Sequence, residues 1–169
     1  IDDRLKVVEP QTAYQVVSML EGVVERGTGR KIKAVKKPLA GKTGTTNSSV
    51  DTWFMGFSPD LAVGVYGGFD KPRSLGRREQ GASVAAPIFR DFMIEALEGQ
   101  PAIPFRIPPG IRLVRVDAST GVLARADDRN TILEAFRPGT EPTKVGEVLD
   151  GSQATTPGTR ARSGTGGLY

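Results

Sequence analysis

The chain has 169 residues, 23 Lys+Arg against 19 Asp+Glu for a formal net charge of +4, and neither cysteine nor histidine. Those two absences exclude disulfides, thiolate nucleophiles, Cys or His metal ligands and a Ser-His-Asp triad. Nucleophilic and acid-base chemistry must therefore run on Ser, Thr, Tyr, Lys and carboxylates. Hydrophobic residues at 38%, with 21 Gly and 12 Pro, describe one loop-rich domain or a domain with a tail.

Ala13, Val16, Val17, Leu20, Val23 and Val24 follow helical spacing, with Pro10 suited to a first turn and Gly27 to an end, so a helix is expected over 10–26. The cluster Arg30, Lys31, Lys33, Lys36 and Lys37 reads as a solvated basic segment rather than a nucleic-acid site. Contact of that segment with an anionic polymer or membrane is the weaker reading. Runs at 38–46, 52–58 and 61–69 are rich in Val, Phe, Trp, Tyr and Thr and are broken by turn residues such as Ser58-Pro59-Asp60. They predict an antiparallel meander. In the second run Trp53, Met55 and Phe57 share a face, and Trp53, Phe54 and Phe57 are assigned to the core. Gly56, Gly64, Gly67 and Gly68 leave smooth backbone for a helix.

That helix is expected from Ala85, Ile88, Phe89, Phe92, Met93 and Ala96, capped by Ser83 and ended by Gly99. Prolines 101, 104, 108 and 109 stiffen a connector over 99–110, and Ile111, Leu113, Val114 and Val116 with Thr120-Gly121 as turn predict a hairpin over 111–125. Asp127-Asp128 reads as a solvated pair. Residues 151–169, where 12 of 19 are Gly, Ser, Thr or Pro, read as a disordered tail.

Gly41-Lys42-Thr43-Gly44-Thr45-Thr46 ends like a phosphate-binding loop, but Lys36 stands where that loop needs its first glycine and no helix pattern follows. Read as a strand, the segment puts the Thr43 and Thr45 hydroxyls on one face beside glycines that admit a ligand, with Lys42 supplying positive field. From these six residues alone, a carboxylate-binding ledge and an ordinary polar edge strand are equally good readings.

The wider pattern decides between them. Lys42-Thr43-Gly44-Thr45-Thr46-Asn47, then Asp51-Thr52-Trp53-Phe54-Met55-Gly56-Phe57-Ser58-Pro59, then Val84-Ala85-Ala86-Pro87-Ile88-Phe89-Arg90-Asp91-Phe92-Met93 closely resembles the end of the transpeptidase domain of class A penicillin-binding proteins. Val23-Val24-Glu25-Arg26-Gly27-Thr28-Gly29-Arg30 and Asp70-Lys71-Pro72-Arg73-Ser74-Leu75-Gly76 fit the same family. The resemblance is close over 10–98 and looser over 99–143.

It implies an α+β chain with part of the serine β-lactamase-like fold, an antiparallel sheet flanked by helices, followed by a short β-hairpin extension and the tail. Residues 1–98 would be the C-terminal portion of the transpeptidase domain, 99–150 a Pro-rich connector with the hairpin, and 151–169 the tail. By resemblance, Lys42 and the Thr45 backbone amide are catalytic, the amide as an oxyanion-hole donor. Thr43, Gly44, Thr45 and Thr46 are substrate-binding, with the Thr43 and Thr45 hydroxyls on the carboxylate of a D-Ala-D-Ala stem peptide or a β-lactam. Neither metal nor cofactor is implied.

The family also needs Ser-x-x-Lys and Ser-x-Asn. No serine of this chain has Lys three residues later, and Asn47 and Asn130 are preceded at two residues by Thr45 and Asp128. With no initiator Met either, the chain is expected to be the C-terminal part of a longer peptidoglycan synthase. Its nucleophile, transmembrane anchor and glycosyltransferase domain would lie upstream, on the periplasmic side of the inner membrane. The strand at 61–69 would then carry an unpaired edge, and the isolated chain would fold only in part. The rivals are a β-lactamase or D,D-carboxypeptidase, and a non-catalytic remnant or interaction module that keeps only the ledge.

Overall fold

Helix α1 spans Pro10–Glu25 in the computed structural model, which describes residues 7–143. Pro10 opens it, where a missing N–H costs nothing. The Arg26 and Gly27 amides close it by donating to the Gly22 and Val23 carbonyls. A Cβ at Gly27 would lie 2.9 Å from the Val23 Cα, so glycine is what allows this tight exit. The basic segment forms a 3-10 helix over Arg30–Val35. Its Ile32 and Val35 are buried while Arg30, Lys31 and Lys33 face outward, Lys33 pairing with Glu25 at 2.5 Å.

Strands β1 (Ala40–Thr45), β2 (Thr52–Phe57) and β3 (Ala62–Gly67) form an antiparallel sheet in that order, as the meander pattern predicts. Thr43 lies opposite Phe54, Thr45 opposite Thr52, and Phe54 opposite Val65. Cross-strand partners share a face. Helix α2 (Ala85–Ala96) packs on the face that carries Phe54, with the Phe54 and Phe89 rings 4.8 Å apart and tilted by 49°. Val24, Ile32, Val35, Leu39, Ala85, Ala86 and Met93 complete this core. Gly56 allows the approach: a Cβ there would sit 2.6 Å from the Phe54 ring and 2.7 Å from the Phe89 ring.

Several expectations need correction. Trp53 is not core: it is 41% exposed beside Met55 and Tyr66, because the register turns Thr52, Phe54 and Gly56 toward α2 and sends Trp53 the other way. Its ring lies 4.8 Å from that of Tyr66. Phe57 is half-buried against Phe105. Of the four glycines, Gly56 serves helix packing directly, whereas Gly64 lies under Met55 and Gly68 under the Tyr66 hydroxyl. Ser83 does not cap α2. Its Oγ accepts from the Gln80 amide at 2.8 Å and so closes the turn before the helix, leaving Val84 at the cap position without a side-chain bond.

The hairpin over 111–125 is also revised. Strand β4 (Arg112–Asp117) forms a two-stranded sheet with β5 (Thr131–Phe136), and the chain returning from Thr120-Gly121 contributes only an isolated bridge, Leu123 to Val116. The Asp117 carboxylate explains the early turn, for it accepts from the Ser119 and Thr120 amides at 3.0 and 2.9 Å. Those bonds, the Thr120 amide first, hold its carboxyl below the usual range. Asp128 likewise accepts from the Arg125 amide at 2.7 Å.

The chain divides into two compact units, one running through Val114 and taking in Glu134–Glu141, the other built on Arg115–Leu133. Within the first, α1 holds the returning segment: Gln15 donates to the Ala135 carbonyl at 3.0 Å, and Arg26 pairs with Glu134 at 2.9 Å. Within the second, the Arg115 guanidinium donates to the Arg125 carbonyl at 2.9 Å. The tail expected over 151–169 lies outside the described residues.

Candidate functional site

The site is built on the outer strand β1, next to the end of α1 and the loop before α2. Thr43 and Thr45 share the face that carries Phe54 and Thr52, while Lys42 and Gly44 alternate to the face of Met55 and Trp53. The lysine side chain bends back along the strand. Its Nζ donates to the Thr43 carbonyl at 2.9 Å and reaches the Thr43 hydroxyl at 3.4 Å. An ammonium therefore sits beside the first of the two hydroxyls.

The Thr46 amide donates to the Asp51 carbonyl at 3.0 Å, which places that amide on the β2 side of the strand. Successive amides alternate sides, so the Thr45 N–H points to the open edge of β1. The structure thus brings together Lys42, Thr43, Gly44 and Thr45. Thr46 is turned away: its hydroxyl accepts from the Asp51 amide at 2.7 Å and pins the β1–β2 turn. Asp51 in turn accepts from the Tyr66 hydroxyl at 2.8 Å, and that bond is the main cause that raises the Tyr66 pKa above its ordinary value. The turn carries two left-handed residues, Ser48 and Ser49, so the Thr46–Asp51–Tyr66 chain holds a backbone that would otherwise relax.

Two neighbours of the ledge were not picked out from the sequence. The Thr28 hydroxyl lies 3.0 Å from that of Thr43, and the Gly81 amide donates to the Thr45 hydroxyl at 3.0 Å. Thr28 stands between Gly27 and Gly29, which fold the chain back after α1. A threonine between two glycines at a helix exit was the available signal. For Gly81 there was none, since 36 residues separate it from Thr45. Among the described residues no cluster of His, Cys, Asp or Glu is placed to hold a metal, and no helix is long and apolar enough to cross a membrane.

Residues 3–94 match the family model described as penicillin binding protein transpeptidase domain. Penicillin-binding protein 1A of Rickettsia bellii is 46% identical over 131 residues, 78% of this chain and 16% of that protein. Penicillin-binding protein 1A of Pseudomonas aeruginosa is 42% identical over 153 residues, 90% of this chain and 19% of that protein. The chain therefore spans less than a fifth of the length of these relatives. The 2.6 Å crystal structure of penicillin-binding protein 1A from Haemophilus influenzae superposes with a TM-score of 0.71 at 35% identity, covering 82% of this chain and 22% of that one. With the sheet, the flanking helices and the Lys42–Thr45 strand all in place, the chain belongs to the penicillin-binding protein transpeptidase domain family.

Proposed function

We propose that this chain is the ligand wall of a serine-type D,D-transpeptidase, the C-terminal portion of a peptidoglycan synthase. Its transpeptidase part is residues 1–98, and an upstream glycosyltransferase domain and membrane anchor would hold it on the periplasmic side of the inner membrane. In this reading a serine supplied upstream attacks the penultimate carbonyl of a D-Ala-D-Ala stem. The serine oxygen forms an ester, the peptide bond to the terminal D-Ala breaks and that residue leaves. The acyl group then passes to the amine of a neighbouring stem. Penicillins would acylate the same serine.

The observation that carries this reading is the arrangement on β1: two hydroxyls on one face, the Lys42 ammonium 2.9 Å from the Thr43 carbonyl, and a Thr45 amide on the open edge. Hydroxyl protons and a cation suit a carboxylate, which accepts hydrogen bonds only. An amide aimed at the edge suits the oxyanion that develops in acyl transfer, where one donor typically contributes about 2.7 to 4 kcal/mol of barrier lowering. Gly44 lets the Trp53 side chain pack over the strand, where a Cβ would lie 3.2 Å from the Trp53 Cβ, and Thr46 holds the turn that follows through its bond from the Asp51 amide.

Incubation of the complete polypeptide with a fluorescent penicillin tests the proposal. Covalent labelling that unlabelled benzylpenicillin prevents is the expected result. No Ser-x-x-Lys stands within these 169 residues, and a complete polypeptide that never labels would overturn the proposal in favour of a second reading, a ligand-binding module without chemistry.

A further inference from the structure

We infer that the Thr28 hydroxyl and the Gly81 backbone amide are positioning groups for the ligand carboxylate: they occupy the lone pairs behind Thr43 and Thr45, so that both ledge hydroxyls present their protons outward. The inference rests on the ledge reading above and names what makes that ledge selective.

A hydroxyl offers one proton and two lone pairs. A backbone amide can only donate, so the 3.0 Å contact from the Gly81 N–H fixes the Thr45 Oγ as acceptor there. The Thr45 proton must then point elsewhere, and among the described residues the hydroxyl has no other partner. At Thr43 the Lys42 ammonium, again a donor only, reaches the Oγ at 3.4 Å. The Thr28 contact at 3.0 Å can run in either direction. A bound carboxylate resolves the direction, because it accepts only. Thr43 must donate to the carboxylate, which leaves Thr28 to donate into Thr43. Each ledge hydroxyl is then the middle member of a donor chain, an arrangement that strengthens its outward bond by polarisation.

The fold is specific about how Gly81 reaches the ledge. A Cβ there would lie 2.5 Å from the Trp53 carbonyl oxygen and 2.7 Å from the Gly44 carbonyl oxygen, so only glycine lets the amide come this close. The residue is held from both sides, its N–H on Thr45 and its carbonyl accepting from the Ala86 amide at 2.8 Å in the first turn of α2. Further back the same loop is tied down where the Leu75 amide donates to the Ser49 carbonyl at 2.8 Å. The ledge hydroxyls are thus set by two segments outside their own strand, the exit of α1 and the entry to α2.

The test compares acylation of the complete polypeptide by benzylpenicillin, which carries the carboxylate, and by its methyl ester, which does not. Thr28→Val is expected to lower the second-order acylation rate constant for benzylpenicillin roughly three- to tenfold, the effect of one neutral hydrogen bond. The loss should lie in binding before acylation, with the ester slowed less than about twofold. Thr28→Ser, which keeps the hydroxyl, should restore the wild-type ratio. Gly81→Ala should produce the same selective loss by pushing the amide off Thr45; if it fails to fold, the two Thr28 variants still decide. Equal losses for both ligands, or no loss for either, would overturn the inference. Thr43→Val and Thr45→Val separate the two levels: selectivity lost there but kept in Thr28→Val overturns the positioning role alone, and selectivity kept in all of them overturns the ledge as well.

Discussion

Lys42→Ala in the complete polypeptide is expected to slow penicillin acylation on the order of a hundredfold, the scale of removing one preorganised electrostatic group from an acyl-transfer site. The substitution removes the only cation that touches Thr43 among the described residues, its Nζ lying 2.9 Å from the Thr43 carbonyl and 3.4 Å from the hydroxyl. An anionic ligand seated on Thr43 and Thr45 would lose that field at short range, where it is least screened by salt. The fold should be indifferent, because the Lys42 side chain is exposed and, among the described residues, bonds only to its neighbour Thr43. Stopped-flow acylation together with a thermal melt separates the two effects. Wild-type acylation rates in a folded Lys42→Ala protein would remove the lysine from the mechanism.

Phe89→Ala carries the largest expected cost to the fold, about 3 to 5 kcal/mol. Phe89 is fully buried, its ring tilted against that of Phe54, and it fills the space above Gly56 that glycine leaves open. Truncation leaves a void between α2 and the sheet, and the surrounding backbone cannot close it because β2 is paired on both sides. Denaturant unfolding of the transpeptidase domain in the complete polypeptide measures the loss. A change below about 1 kcal/mol would mean that the Phe54–Phe89 contact is not the centre of the core.

Helix α1, the three-strand meander and α2 were legible in the sequence because each repeats its apolar residues at its own period: Ala13, Val17, Leu20 and Val24 for α1, and Phe89 and Met93 for α2. What failed was local chemistry overridden by context. Ser83 has the right side chain for a cap, but the Gln80 amide reaches its Oγ first. Trp53 alternates as a core residue would, yet the sheet has one face against α2, and Gly56 and Phe54 had already claimed it. Strand β5 was missed because Thr131-Ile132-Leu133-Glu134-Ala135-Phe136 puts apolar residues on both faces and shows no clear alternation.

The site divides in the same way. Lys42, Thr43, Gly44 and Thr45 are contiguous, so a ledge was one of two equal readings of the segment itself, and the wider family pattern decided for it. Thr28 and Gly81 stand 15 and 36 residues from their partners, and only the packing of α1 against β1, and of α2 against β2 and β3, brings them there. Thr46 was grouped with the ledge from its place in sequence, but it follows the last residue of β1 and its hydroxyl accepts from the Asp51 amide at 2.7 Å in the β1–β2 turn.

The most direct test of the central claim is to locate the acyl group. The complete polypeptide is treated with benzylpenicillin, digested, and the adduct assigned to one residue by mass spectrometry. The account predicts a penicilloyl ester on a serine that precedes Ile1 in the polypeptide and is followed three residues later by lysine, with none of the nine serines of this chain modified. An adduct on one of those nine, or no adduct at all, would contradict the assignment of this chain as the ligand wall of a serine transpeptidase.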